Sequence, residues 1–171
     1  MIFLTVGTQF PFDRLIRAVD DALDNGVINE EIFAQIGESS YKPRNFESVA
    51  SLEKKVFNEH LQAASSIISH AGMGTITTAL DNEKPLLVMP RSKRYGEVVN
   101  DHQIAIARRF SELGHILVAY DVEDLPDSIC KLKNFIPRKR KVDPQAVANR
   151  IRCFLDSLSD VRRVKPGTNI R

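Results

Sequence analysis

Short β-rich runs alternate with helical patterns along nearly the whole chain, and this alternation restricts the possible folds more than any other feature. Ile2 to Val6 is a β-rich run ending at Gly7-Thr8, and after Pro11 the residues Leu15, Ile16, Val19, Ala22 and Leu23 recur at helical spacing. A second strand is expected over Phe33 to Ile36, then a loop holding Gly37, Ser39, Ser40 and Pro43, and a weaker extended segment over Phe46 to Val49. Glu53 to Ala64 reads as helix, Ser66 to Ser69 as strand, and Met73 or Gly74 opens a helix running to about Asp81. Leu86 to Met89 is a continuous apolar run, the signature of a parallel strand buried on both faces. A polar loop over Arg91 to Val99 leads to a helix over Asn100 to Leu113, with Gly114 just past its end, and to a strand over Ile116 to Ala119. A short helix is expected over Val122 to Leu132. The last helix follows Asp143-Pro144 and carries Val147, Ile151, Phe154, Leu155 and Leu158 on one stripe.

Strands that alternate with helices need right-handed crossovers, so the expected fold is α/β: a Rossmann-like, doubly wound, mostly parallel sheet. Ligands of such sheets sit beyond the carboxyl ends of the strands. With 171 residues, the chain is expected to form one domain over residues 1–158, followed by a polar tail over 159–171. Its 24 basic and 22 acidic residues are nearly balanced, and the basic run Arg138 to Lys141 has no aromatic residues interleaved, which argues against nucleic acid as a partner. That run is either a solvated linker or a patch drawn to an anionic membrane. Cys130 and Cys153 are too few and too far apart for a disulfide framework or a zinc site, and a reducing cytoplasm fits them. Met1 to Gly7 lacks the basic flank and long apolar core of a signal peptide, and no stretch reaches the length of a membrane span. Any membrane contact is therefore expected to be peripheral or through a partner.

The chemistry concentrates at Ser69-His70-Ala71-Gly72-Met73-Gly74-Thr75, where a strand turns on two glycines into a helix. Glycine lets a phosphate approach the backbone, and the first N–H groups of the helix point at it along the positive end of the helix dipole. Thr75 adds a hydroxyl donor. Gly-x-Gly alone favours a plain tight turn over a phosphate site, so context has to decide. No Gly-x-x-x-x-Gly-Lys-Ser/Thr sequence is present, and Gly7-Thr8-Gln9-Phe10 is not a dinucleotide fingerprint.

Three features occur together: His70-Ala71-Gly72-x-Gly74-Thr75, the proline-containing strand that follows, and Asn100-Asp101-His102-Gln103 opening another helix. They resemble the glycosyltransferase family 28 C-terminal domain. Within it, Val6-Gly7-Thr8 followed by Pro11-Phe12-Asp13 makes the chain similar to the small (PssE-like) catalytic subunits of two-component bacterial exopolysaccharide and capsule glycosyltransferases. It is also similar to the eukaryotic UDP-GlcNAc transferase subunit acting on dolichol-linked sugars. The likeness runs from Met1 to about Tyr120.

The resemblance implies a donor-binding half of a GT-B enzyme with no cofactor and a UDP-sugar as substrate, and because no Asp-x-Asp motif is present and a helix N-terminus can replace a cation, transfer is expected to be inverting and metal-independent. It implies that Gly72, Met73, Gly74 and Thr75 hold the diphosphate, that Gln103 reaches the donor sugar, and that Asn100 and His102 line the same cleft. An amide suits sugar hydroxyls because it both donates and accepts, while Asn100-Asp101 is also a plain helix cap. Thr8 lies on the same sheet edge and is a further candidate contact. His70 is the candidate catalytic residue: it either donates to an oxyanion or satisfies a backbone carbonyl. His60 and His115 have no such setting.

Where the related peptidoglycan GlcNAc transferase MurG has an acidic, ribose-binding residue, this chain has Thr78, with Asp81 as a possible substitute. Arg91, Lys93 and Arg94 either neutralise an anionic ligand or form a solvated loop. No residue stands out as general base, which is expected on a membrane-anchored, acceptor-binding partner subunit. That partner would recruit the chain to the inner face of the cell membrane, where a lipid-linked sugar is the acceptor. The rival functions are a nucleotide- or phosphosugar-binding regulatory domain without turnover, and a sugar-phosphate isomerase.

Overall fold

In a computed structural model the described residues are 1–140 and 143–163, with side chains of the last helix described to 158. The chain separates into two compact units, Met1–Lys139 and Arg140–Arg171.

The first unit is built on six parallel strands: β1 (Ile2–Thr5), β2 (Ile32–Gln35), β3 (Glu47–Val49), β4 (Ser66–His70), β5 (Leu86–Met89) and β6 (Leu117–Val118). Their order in the sheet is β3-β2-β1-β4-β5-β6. The expected doubly wound parallel fold is therefore present, and the strand order reverses between β1 and β4. Helices α1 (Asp13–Asp24), α2 (Lys54–Ala63), α3 (Met73–Asp81) and α4 (His102–Glu112) make four of the crossovers, a loop joins β2 to β3, and α5 (Leu125–Leu132) follows β6. Single 3₁₀ turns lie at Lys93–Tyr95 and Val122–Asp124.

The alternation of side chains along a strand sorts the core into two layers. Ile2 and Leu4 pack with Leu15, Ile16 and Val19 of α1 and Ile129 of α5 on one face. Phe3 and Ile67 pack with Leu61 of α2, Ile76 of α3 and Ala107 of α4 on the other. Leu86 to Met89 are all buried, as a doubly covered central strand requires.

Helix α1 carries one buried charge. Asp20 is fully buried, and its carboxylate accepts from Tyr41 Oη at 2.6 Å and from the N–H groups of Arg44 and Asn45, each at 3.0 Å. Burial works to raise its pKa, but these hydrogen bonds to the ionised form win and hold the carboxyl below the ordinary aspartate range.

Most boundaries differ from expectation by one or two residues, as helix ends do. The helix expected from Asn100 starts at His102, and Gly114 lies past its end with φ of +73°, the conformation glycine tolerates best. His60 and His115 are structural: His60 stacks on Phe33 at 4.1 Å between ring centres, and His115 Nδ1 donates to the Arg138 carbonyl at 2.7 Å. Part of the basic run is engaged with the first unit rather than solvated, since the Arg138 N–H donates to Gly114 at 2.9 Å and Lys139 pairs with Glu83 at 2.6 Å. Lys141 lies outside the described residues.

The second unit contains α6 (Pro144–Arg163). Asp143 Oδ1 accepts from the Ala146 N–H at 2.9 Å, the expected N-cap. The helical backbone continues through Arg163, into the segment expected to be a tail, and residues 164–171 lie outside the described residues. Val147, Ile151, Phe154, Leu155 and Leu158 are all exposed. Among the described residues no helix is long and apolar enough to cross a membrane.

Candidate functional site

The reversal of strand order sets two loops side by side. Thr5 of β1 pairs in register with Ser69 of β4, so the chain leaving β1 at Gly7-Thr8 runs beside the turn at His70 to Gly72. A cavity of about 340 Å³ opens there, at the carboxyl edge of the sheet where the fold places ligands. It brings together Thr8, His70, Gly72, Gly74, Thr75, His102 and Gln103. Met73 and Asn100 do not line it. The Met73 side chain is exposed, and Asn100 Oδ1 accepts from the His102 N–H at 3.3 Å, so it serves the start of α4.

The turn is tight because the His70 carbonyl accepts from the Gly72 N–H at 2.9 Å and from Ser69 Oγ at 2.8 Å. Gly72 caps α3 with extended backbone and provides no side-chain cap hydrogen bond. The first N–H groups of α3 therefore lack intrahelical partners, and Gly72, Gly74 and Thr75 of this turn line the cavity. A Cβ built on Gly74 would meet nothing within 4 Å, so this glycine leaves space rather than filling a contact.

Gly7 and Gly72 have a different role, because both make room for one imidazole. A Cβ on Gly7 would stand 2.9 Å from His70 Cε1, and one on Gly72 would overlap His70 Nε2. Burial, then the nearby Arg91 charge, push the His70 pKa down to about 4, with the Thr5 carbonyl opposing them in part. The ring is thus neutral at pH 7. Its Nδ1 is buried and has no hydrogen-bond partner among the described residues.

Gln103 is buried, and its Oε1 accepts from the Arg91 N–H at 3.1 Å. That bond orients the amide, which keeps its Nε2 donors and a second lone pair on Oε1. Arg91 is 3% exposed, not part of a solvated loop, and it lines the cavity.

A second cavity of about 330 Å³ shares Gly7, Thr8, Gly74 and Thr75 with the first. Its other walls come from Thr5, Gln35, Lys54, Phe57, Asn58 and Thr78. Gln35 Oε1 accepts from Thr5 Oγ1 at 2.9 Å, and Thr78 Oγ1 donates to the Gly74 carbonyl at 2.8 Å, which leaves lone pairs of Thr78 free to accept. Asp81 lines neither cavity. No described residue lining either cavity is a carboxylate, whereas Arg91 and Lys54 supply positive charge.

Residues 1–156 match the model of the glycosyltransferase family 28 C-terminal domain. The chain belongs to that family. Among curated proteins, this family 28 domain is 33% identical over 125 residues to the human UDP-N-acetylglucosamine transferase subunit ALG13, covering 67% of this chain and 10% of that protein. The chain thus spans a small part of the curated relative it matches. Two solved structures share the fold: ALG13 by NMR (TM-score 0.56, 18% identity, 88% of this chain and 93% of that one) and Os79 from O. sativa in complex with UDP (TM-score 0.58, 16% identity, 78% and 32%).

The second cavity was not evident from the family 28 motifs. Gln35, Lys54, Phe57 and Asn58 come from separate parts of the sequence, and the one available signal was the position of Gln35 at the carboxyl end of a strand. Among the described residues no group of three His, Cys, Asp or Glu side chains is arranged to hold a metal ion.

Proposed function

We propose that the chain is the donor-binding subunit of a UDP-sugar-dependent glycosyltransferase. It would act with a membrane-anchored, acceptor-binding partner to add a hexose to a lipid-linked saccharide, as in two-component bacterial exopolysaccharide and capsule systems. One observation carries this reading: two carboxylate-free cavities meet at the uncapped N-terminus of α3. A ligand with a diphosphate at its middle and a neutral group at each end fits that layout. The nucleoside takes the cavity of Gln35, Phe57, Asn58 and Thr78, and the sugar takes that of Gln103 and His102.

Thr8, Gly72, Gly74 and Thr75 would surround the diphosphate. In sugar transfer, charge develops on that leaving group, and fixed N–H donors stabilise it without reorganising. His70, neutral at pH 7, lines the same cavity and would meet a phosphate through a ring edge other than its buried Nδ1. The general base would be on the partner. Met73 contributes through its backbone N–H, and Asn100 by holding the start of α4. The exposed apolar stripe on α6 provides a surface for the partner.

The absence of a carboxylate from both described linings also favours a second reading, a nucleotide- or phosphosugar-binding domain without turnover. The two are separated by measuring UDP and UDP-sugar binding by calorimetry, then transfer to a lipid-linked acceptor with and without the protein encoded beside this one. Binding with transfer only in the pair supports the split enzyme. Binding with no transfer in either case supports the second reading, and no binding refutes both.

A further inference from the structure

Arg91 follows Pro90 at the end of β5, where an arginine ordinarily turns to water, yet it is 3% exposed. Its Nη2 donates to the carbonyls of Val6 at 2.7 Å and Phe10 at 2.6 Å, and its Nε to that of Pro11 at 3.4 Å. The guanidinium also lies over the Phe12 ring, 4.8 Å from its centre. Burial lowers its pKa to about 10, with Glu97 opposing, so it keeps its charge at neutral pH. Glu97 itself is taken by Arg14, which contacts both carboxylate oxygens at 2.8 and 2.9 Å.

The three carbonyls belong to the loop that supplies Val6, Gly7, Thr8, Gln9 and Phe10 to the wall of the first cavity. Arg91 Nη1 takes no part in the three bonds, while Arg91 lines the same cavity.

We propose that Arg91 is a positioning residue for the donor site: its guanidinium ties the Val6–Pro11 loop to the end of β5 and presents a remaining donor to an anion in the cavity. This rests on the donor-binding reading above. The same cation shapes the wall and meets the ligand, so anion binding tightens the loop. A lysine at this position keeps the charge but has no planar fork to span separate carbonyls.

The test is Arg91→Lys in the full chain, read by hydrogen exchange of peptides covering residues 6–12 without ligand and by calorimetry with UDP. The expected result is exchange in residues 6–12 faster by at least tenfold, unchanged exchange in β2 and β4, and UDP affinity lower by at least tenfold. A loop as protected as in the original chain, or a uniform rise in exchange with UDP affinity retained, overturns the proposal. If the unsubstituted chain does not bind UDP, the donor reading fails and this one falls with it; normal UDP binding with an unaffected R91K loop overturns the role of Arg91 alone. The side-chain ¹⁵N signals of Arg91 in the unsubstituted protein provide a measurement that does not depend on a variant folding. They are expected to show hindered rotation and to shift with UDP, and signals that ignore UDP overturn the proposal.

Discussion

The imidazole of His70 occupies the space that a side chain on Gly72 would need. Gly74, two residues on, faces open space. Two glycines of one motif are therefore required for different reasons, one by a neighbour inside the protein and the other by whatever enters the cavity.

Substitution separates them. Gly72→Ala displaces the ring and is expected to lower both stability and UDP affinity. Gly74→Ala lies within helix α3 and is expected to raise stability by up to about 1 kcal/mol while weakening UDP binding. Urea unfolding and calorimetry on both variants check this, and undiminished UDP affinity in Gly74→Ala would refute the phosphate assignment.

His70 gives stability a defined pH dependence. Its folded pKa of about 4 lies below the ordinary histidine value, so the unfolded chain binds a proton there that the folded chain does not. The stability is fully present above about pH 6.5 and is lost as pH falls toward 4, with a total of about 3 kcal/mol. Denaturant midpoints at pH 7, 5.5 and 4.5 should fall accordingly, and His70→Gln should remove that part of the decline.

Gln103 tests the sugar end of the site. In Gln103→Glu the Arg91 N–H keeps its acceptor, but the cavity loses its amide donor and gains a negative charge. The expected loss of UDP-sugar affinity is about 1.5–3 kcal/mol, with a smaller effect on UDP. Equal losses for the two ligands would place Gln103 near the phosphates instead.

Asp20 tests the fold away from the site. Asn in its place offers one acceptor oxygen and sets an NH₂ group against donors, so Asp20→Asn should cost about 2–3 kcal/mol. Because the folded carboxyl titrates below the ordinary aspartate value, its contribution is present above about pH 4 and is lost as pH falls below that. Urea unfolding at pH 7 and pH 3 should show the two proteins converging at the lower value.

Local patterns were enough for some of this. The strands at Ile2, Ser66 and Leu86 were legible from β-rich and apolar runs, and the α3 turn from its glycines, because those signals concern neighbouring residues. Gln103 was legible as a candidate on the sheet edge that the cavity occupies, but its bond from the Arg91 N–H was not, since that backbone group is distant in sequence. Arg91 read as a loop charge because nothing near it in sequence shows that Val6, Phe10 and Pro11 present their carbonyls to it.

The sequence by itself determined an alternation of elements, hence a parallel sheet, and a glycine turn at the head of a helix, because backbone conformation and burial periodicity are local properties. The tertiary structure alone decided the rest. It set β1 against β4, pressed the His70 ring between Gly7 and Gly72, buried Arg91 beneath the β1 loop, and joined Gln35, Lys54 and Thr78 in a second cavity. Those relationships depend on which strand ends become neighbours, and the order of a parallel sheet is fixed by long-range packing that no short stretch of sequence encodes.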